Sequence, residues 1–351
     1  MPTRLTKRPT QSDVAQLAGV SGATVSYVLN GVKGGRVPIS EETQQRVLDA
    51  IEELGYEPDA RAQALRSGST NTVALIIPDL RNPHFCEYAT GVEDAARIAG
   101  FHLLLSSTTL NDEYAVDIFK DLARRRFDGL IITGSFILKS AEAQTILARI
   151  RKRGLPIVEM NEFYGVDSVS SDYREATKEV VSYLLSLGHR HIGFVYGVED
   201  HEVGLDRLQP YRESLNNAGI AIESDMIVEC GSTIEDGYQA ALKLLKLSHR
   251  PTAIIAINDL LAISTIRAAG DLGLRVPGHI SVVGFDDIPM ANYQSPRLTT
   301  VTKDAYIAGR KAFEMLQARI QNPDLPRQVI HLPVKLIIRE STGPAPSQYK
   351  C

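Results

Sequence analysis

Thr10-Gln11-Ser12-Asp13-Val14-Ala15-Gln16-Leu17-Ala18-Gly19-Val20-Ser21, running on through Gly22-Ala23-Thr24-Val25-Ser26-Tyr27-Val28-Leu29-Asn30, decides what stands at the front of this chain. Thr10 is a candidate N-cap, and Asp13 three residues on completes a capping box. Val14 and Leu17 then share an apolar face, and Gly19 closes the helix. Ser21 caps a second helix, with Val25, Val28 and Leu29 as its buried stripe. Ser40 caps a third, with Val47, Ile51 and Leu54 at helical spacing and Gly55 just past the end. Only Ala18-Gly19-Val20 separates the first two helices. Any three-helix bundle could share the pattern, but so short a turn has helix-turn-helix spacing, in which the second helix lies in a DNA major groove.

Charge points the same way. Residues 1–40 hold five basic side chains (Arg4, Lys7, Arg8, Lys33, Arg36) against Asp13, a local charge of +4, while the whole chain carries -4. A basic head on an acidic body suits a phosphate-facing module, although a solvated basic N-terminus would look alike. At 351 residues the chain is long enough for two or three domains. The basic start leads into no apolar segment, and no run approaches a membrane span, so a cytoplasmic protein is expected. Cys86, Cys230 and Cys351 are odd in number and far apart, fitting neither a disulfide framework nor a zinc site.

The strings Asp13–Ser21, Thr24–Ser26, Val28–Gly31, Thr43–Val47 and Leu54–Pro58 closely resemble the head of the lactose-repressor/galactose-repressor (LacI/GalR) family. The resemblance assigns base reading to Gly22, Ala23 and Tyr27. Gly22 and Ala23 can offer only close approach or a methyl contact, and Tyr27 stands where many relatives carry a guanine-gripping Arg. Ser21, Thr24, Ser26 and Asn30 are then expected on phosphates, which fix register without reading sequence. Lys33-Gly34-Gly35-Arg36 is longer than usual for the family, and is either a turn insertion or an extra phosphate clamp. The segment Pro58–Arg66 is too short for a stable isolated helix. In the family it is a hinge helix that pairs with its dimer mate on the operator, and Leu65 matches the Leu that wedges into the minor groove.

From residue 71 the pattern changes to apolar strands (73–77, 102–105, 130–132, then 192–195, 253–257 and 281–285) alternating with helical stretches near 85–99, 112–126 and 140–153. Alternation of this kind implies parallel sheets covered by helices, with a ligand cleft at the C-terminal ends of the strands. No Gly-x-Gly-x-x-Gly follows the first strand, which argues against a dinucleotide site. The family resemblance continues through Asn82–Phe85, Gly188–Phe194, Asn258-Asp259, Gly284–Asp287 and Pro296–Val301. The expected fold is an all-α helix-turn-helix head (1–57), a hinge and linker (58–70) and an α/β periplasmic-binding-protein-like effector domain (71–345). That domain should hold two doubly wound parallel-sheet subdomains, one of 71–162 with 296–323 and one of 163–295 with 324–345.

Carried over by the resemblance, Phe85 forms an apolar wall, Thr133 and Asn161 supply hydrogen bonds from the first half, and Arg207, Asn258 and Asp286 from the second. Asp286 would accept from vicinal hydroxyls, Arg207 donate, and Asn258 do both, a mixture suited to a sugar or related polyol. Three positions depart from relatives: Ser232 where an aromatic platform can stand, Pro210 for the usual Gly, and Asn161 for an Asp. His189 and His191 flank Arg190 at a helix-to-strand turn and suit packing and capping. Arg124-Arg125-Arg126 suits a solvated helix end. Asp286-Asp287 has no nucleophile or oxyanion motif beside it, so no catalysis, cofactor or metal is expected. The expected partners are a palindromic operator, a small-molecule effector and a second copy of the chain. A solute-binding sensor without a DNA role would leave residues 1–66 unexplained.

Overall fold

The computed structural model describes residues 9–30, 39–57, 68–134, 140–197, 201–231 and 233–347, in two compact units that divide between Thr70 and Asn71. In the first unit, α1 (Gln11–Ala18) starts from Thr10, whose hydroxyl accepts the Asp13 N–H while the Asp13 carboxylate accepts the Thr10 N–H at 2.7 Å. Gly19 ends α1 in the left-handed region (φ 64°), which a β-carbon would disfavour. The second and third helices are α2 (Gly22–Asn30) and α3 (Glu41–Leu54), the latter capped by Ser40.

Val14, Ala15, Ala18, Val25, Val47 and Ala50 form the core of this unit, with Val28, Leu29, Ile51, Leu54 and Tyr56 packed around it. Leu17, expected on the buried face, is exposed. At 100° per residue the face centred on Val14, Ala15 and Ala18 turns Leu17 outward.

The second unit carries two six-stranded sheets. The first is built from β1 (Thr72–Ile77), β2 (His102–Ser107), β3 (Gly129–Ile132), β4 (Ile157–Glu159), β5 (Asp167–Ser171) and β11 (Val329–Leu332), in the order β11-β5-β4-β3-β1-β2, all parallel. The second holds β6 (Ile192–Gly197), β7 (Ile227–Cys230), β8 (Ala253–Ala256), β9 (Ser281–Phe285), β10 (Thr299–Thr302) and β12 (Lys335–Ile337), in the order β12-β10-β9-β8-β6-β7, with β12 antiparallel to β10. Val73–Ile77 is a continuous apolar run because both of its faces are covered.

Helices α4 (Pro83–Ile98) and α12 (Ala305–Gln321) approach closely on the first sheet, since a β-carbon on Gly91 would collide with the Tyr306 carbonyl and one on Gly309 with that of Tyr88. The remaining helices are α5 (Asp112–Arg124), α6 (Ala141–Lys152), α7 (Tyr173–Ser186), α8 (His201–Asn217), α9 (Ile234–Leu245), α10 (Asp259–Asp271) and α11 (Pro289–Tyr293).

The subdomain boundaries differ from the expected ones. The chain leaves the first sheet after β5 at Ser171, not at 163; it returns after β10 at Thr302, not at 296; and it crosses last between Leu332 and Lys335, not at 324. Asp167–Ser171 and Thr299–Thr302 are hydroxyl-rich strands, and β11 is half exposed, so neither apolar runs nor clean alternation marks them. The hinge Pro58–Arg66 with Leu65, the loop Lys33–Arg36, and Arg4, Lys7, Arg8, Ser232 and Cys351 lie outside the described residues.

Candidate functional site

The strands of both sheets end at a single cavity of about 640 Å³. Phe85, Thr133 and Asn161 line it from the first sheet's side, and Arg207, Asn258 and Asp286 from the second's, so all six expected residues meet there. Thr133 follows β3, and its N–H donates to the Ile76 carbonyl at 3.0 Å. Asn258 follows β8 and is the N-cap of α10: its Oδ1 accepts the Leu261 N–H at 2.9 Å, which leaves the side-chain NH₂ as its main offering to the cavity. Its expected double role therefore narrows toward donation.

Asp286 follows β9 at φ 105°, a strained angle for a side-chain-bearing residue, and lines the cavity. Its neighbour Asp287 is bound instead to Arg339 at 2.7 Å. Arg207, on α8, is 5% exposed. One of its nitrogens donates to the Ile257 carbonyl at 2.9 Å, and its guanidinium carbon lies 4.1 Å from the Tyr173 ring centre and 4.9 Å from that of Phe285.

Among the lining residues that escape the sequence-based assignment are His84, Tyr88, Tyr173 and Lys303. His84 Nε2 lies 3.7 Å from Asp286 Oδ1, and its ring meets Tyr88 edge-on at 4.7 Å. Burial lowers the His84 pKa to about 4, against the pull of Asp286, so the imidazole is neutral at pH 7. Burial likewise brings the Lys303 ammonium down to about 8, with its Nζ 5.0 Å from the Tyr88 ring centre and 5.2 Å from that of Tyr173. Burial raises both phenols above their ordinary range.

Behind the wall, desolvation and the Asp286 charge push the Asp259 carboxyl well above the usual range. The Thr300 hydroxyl (2.6 Å) and the Ile288 N–H (2.9 Å) donate to it. Asp172, Tyr173 and Lys303 sit at or beside the points where the chain crosses between sheets, and the displaced crossings are what hides Tyr173 and Lys303 from a sequence reading. Their signal is the crossover itself, a hydroxyl-rich strand followed by an N-cap.

The cavity gathers polar atoms without partners. His84 Nδ1, Tyr88 Oη, Ser171 Oγ and Arg207 Nε are buried and find no hydrogen-bond partner among the described residues. By contrast His189, expected to be structural, is buried and fully engaged, with Nδ1 2.9 Å from Thr252 Oγ1 and Nε2 3.0 Å from the Gly343 carbonyl oxygen. The arginines Arg124, Arg125 and Arg126 are exposed, as a solvated helix end should be.

In the head, Ser21, Gly22, Ala23 and Tyr27 are exposed along the start and outer face of α2, Tyr27 at 50%. Thr24 and Ser26 are less open, and the Asn30 side chain lies outside those described. Ser21 Oγ accepts the Thr24 N–H at 3.1 Å and so caps the helix, and it lies 2.9 Å from Thr24 Oγ1, so the two hydroxyls already engage each other. The Gln11 amide donates to the Gly22 carbonyl at 2.8 Å and ties α1 to the start of α2.

Residues 10–59 match the profile of bacterial regulatory proteins of the lacI family, and residues 181–342 that of the periplasmic binding protein-like domain. Over 337 residues the chain is 34% identical to the HTH-type transcriptional repressor PurR of Photobacterium profundum, covering 95% of this chain and 98% of that one. The chain belongs to the LacI family of bacterial regulatory proteins.

Two solved LacI-type structures agree with its fold. The lac repressor dimer bound to operator and the anti-inducer ONPF matches with a TM-score of 0.83 at 26% identity, covering 96% of this chain and all of that one (100%). The transcriptional regulator CelR in its cellobiose complex matches with a TM-score of 0.68 at 29% identity, covering 95% and 100%. As a LacI-family member the chain is a DNA-binding transcriptional regulator with a helix-turn-helix head and a two-subdomain α/β body. Among the described residues no helix is long and apolar enough to cross a membrane.

Proposed function

We propose that the chain acts as a cytoplasmic homodimeric repressor, without catalytic activity, that reads a palindromic operator and is controlled by a sugar-like effector in the cleft. The observation that carries the effector reading is the set of unpartnered buried groups around the cavity, since each such group costs roughly 1–3 kcal/mol until something satisfies it. A polyol offers hydroxyls that donate to Asp286 and accept from the Asn258 amide and Arg207. Thr133 and Asn161 hydrogen-bond it from the opposite wall, and Phe85 packs an apolar face. A volume of this size suits a mono- or disaccharide. The ligand of CelR, cellobiose, belongs to the same chemical class.

On the DNA side, Gly22, Ala23 and Tyr27 meet base edges, while Ser21, Thr24, Ser26 and Asn30 approach phosphates. Ser21 and Thr24 would contribute mainly by presenting the helix start, because the Ser21 hydroxyl already caps α2 and that of Thr24 is paired with it. Leu65 enters the minor groove as a wedge and couples head to body, a role that rests on the family resemblance.

The test is a thermal-shift screen of sugars and sugar derivatives followed by operator titration. At least one compound should raise the melting temperature and shift operator affinity. A compound that binds the cleft and leaves operator affinity unchanged contradicts the regulatory reading.

A further inference from the structure

Arg207 and Lys303 are 5% and 7% exposed, and both line the cavity. Neither makes an ion pair with a carboxylate among the described residues. Arg207 rests on a carbonyl and two ring faces, and Lys303 on the faces of Tyr88 and Tyr173. Asp286 is the buried carboxylate in their midst, with the His84 ring 3.7 Å away. His84 is neutral at pH 7, and Lys303 remains mostly charged even with its lowered affinity for the proton.

The other acidic groups around the cavity are engaged elsewhere or stand in reach of water. Asp79 binds Arg81 at 2.9 Å, Glu162 accepts from Ser170 at 2.6 Å, and Asp172 caps α7. Asp206 is only half-buried and forms no ion pair with Arg207. The inner wall therefore presents two cations against one anion. A buried charge is tolerated only when paired, and the protein leaves one of the two for a ligand to pair.

We infer that the effector bears an anionic group, held between Lys303 and Arg207, while Asp286 takes its hydroxyls. The ligand class is thus an acidic sugar derivative, a carboxylate or a phosphate ester of a polyol, and not a neutral sugar. This rests on the effector reading above and narrows it. Lys303 supplies the discrimination, because it lies on the crossover after β10 and lines the cavity with no carboxylate partner among the described contacts.

The experiment uses the full-length chain and matched probes: glucose, glucuronate, gluconate and glucose 6-phosphate, with the corresponding galactose set. The acidic members should raise the melting temperature of the parent more than their neutral counterparts, and the uronate, aldonate and phosphate arms separate the two sources of negative charge. Lys303→Met should weaken the acidic ligand by about tenfold to a hundredfold, as expected for loss of a charged hydrogen bond. The same variant without ligand should melt higher than the parent, because an unpaired buried ammonium is gone. Lys303→Arg should recover most of the preference for the acid.

A neutral sugar that binds as well as its acid, or a Lys303→Met chain that melts lower than the parent, overturns the inference and leaves the sugar-effector reading standing. If no probe of either charge shifts the parent, that reading and the inference fall together.

Discussion

In the head, the hydroxyls of Thr10, Ser21 and Ser40 each accept a backbone N–H at a helix start, whereas in the cleft the Tyr88 phenol, the Ser171 hydroxyl and His84 Nδ1 are buried without a partner among the described residues. The head is a small bundle whose polar groups hold its own helices and whose exposed face, Gly22, Ala23 and Tyr27, is presented finished. The cleft leaves several polar groups and one of its two cations unsatisfied inside a much larger core. A surface that meets DNA competes with water for every contact, so rigid presentation is what the head can contribute. A buried cleft excludes water and carries a free-energy cost that an effector relieves, so binding there can bias one arrangement of the two halves over another.

The largest effect that would sharpen this contrast is on pH. The folded His84 has a pKa of about 4 against 6.5 for the free side chain, so between those values the unfolded chain takes up a proton that the folded chain does not. Stability contributed by the neutral ring is complete above pH 6.5 and is lost as pH falls toward 4, by up to about 3 kcal/mol. In denaturant melts from pH 7 to pH 4 the parent should lose up to about 3 kcal/mol more stability than His84→Gln. Parallel curves would mean that the ring is not held neutral by the cleft. The head contains no histidine among residues 9–57, so its unfolding should not share the slope.

Next in size is recognition. Because Tyr27 is half exposed, Tyr27→Ala should leave the stability of the head within about 0.5 kcal/mol of the parent. It should cost about 1–3 kcal/mol at one base pair of each half-site. Selection of sites from a randomised operator checks both the size and the position of the loss, and an unchanged site ranking would remove Tyr27 from the reading set.

The smallest effect separates capping from phosphate contact. Ser21→Ala should destabilise the head by about 1 kcal/mol through loss of the α2 cap. Its salt dependence of operator binding should stay that of the parent. A loss of operator affinity that is uniform across sequences and exceeds the loss of head stability would show that Ser21 also holds a phosphate directly.

Much of this is legible in the sequence for local reasons. The capping box of Thr10 and Asp13, the Ser40 cap and the left-handed Gly19 and Gly55 follow from residues within a turn of one another. The apolar strands Val73–Ile77 and Ser281–Phe285 declare themselves by composition, and the six assigned cleft residues lie at or near strand ends or on the helices that follow them. What stays hidden depends on long-range placement. Tyr173 and Lys303 reach the cleft only because β5 and β10, two strands without apolar runs, carry the chain between sheets. His84 is separated from Asp286 by roughly two hundred residues, and nothing in either neighbourhood announces their approach to 3.7 Å. Leu17 turns outward because alanines, not the larger side chain, meet Val47 in so small a core.

The coupling of a satisfied head to an unsatisfied cleft is tested most directly by operator titration, read by fluorescence anisotropy, with and without the compound that raises the parent's melting temperature. The parent should change its operator Kd on adding that compound. Asp286→Asn should bind the operator like the ligand-free parent and ignore the compound, because an uncharged amide with one acceptor oxygen and a clashing NH₂ donor replaces the carboxylate that accepts the effector's hydroxyls, while α2 and its caps are untouched. An Asp286→Asn chain that still responds to the compound as the parent does would contradict the assignment of this cleft as the regulatory site.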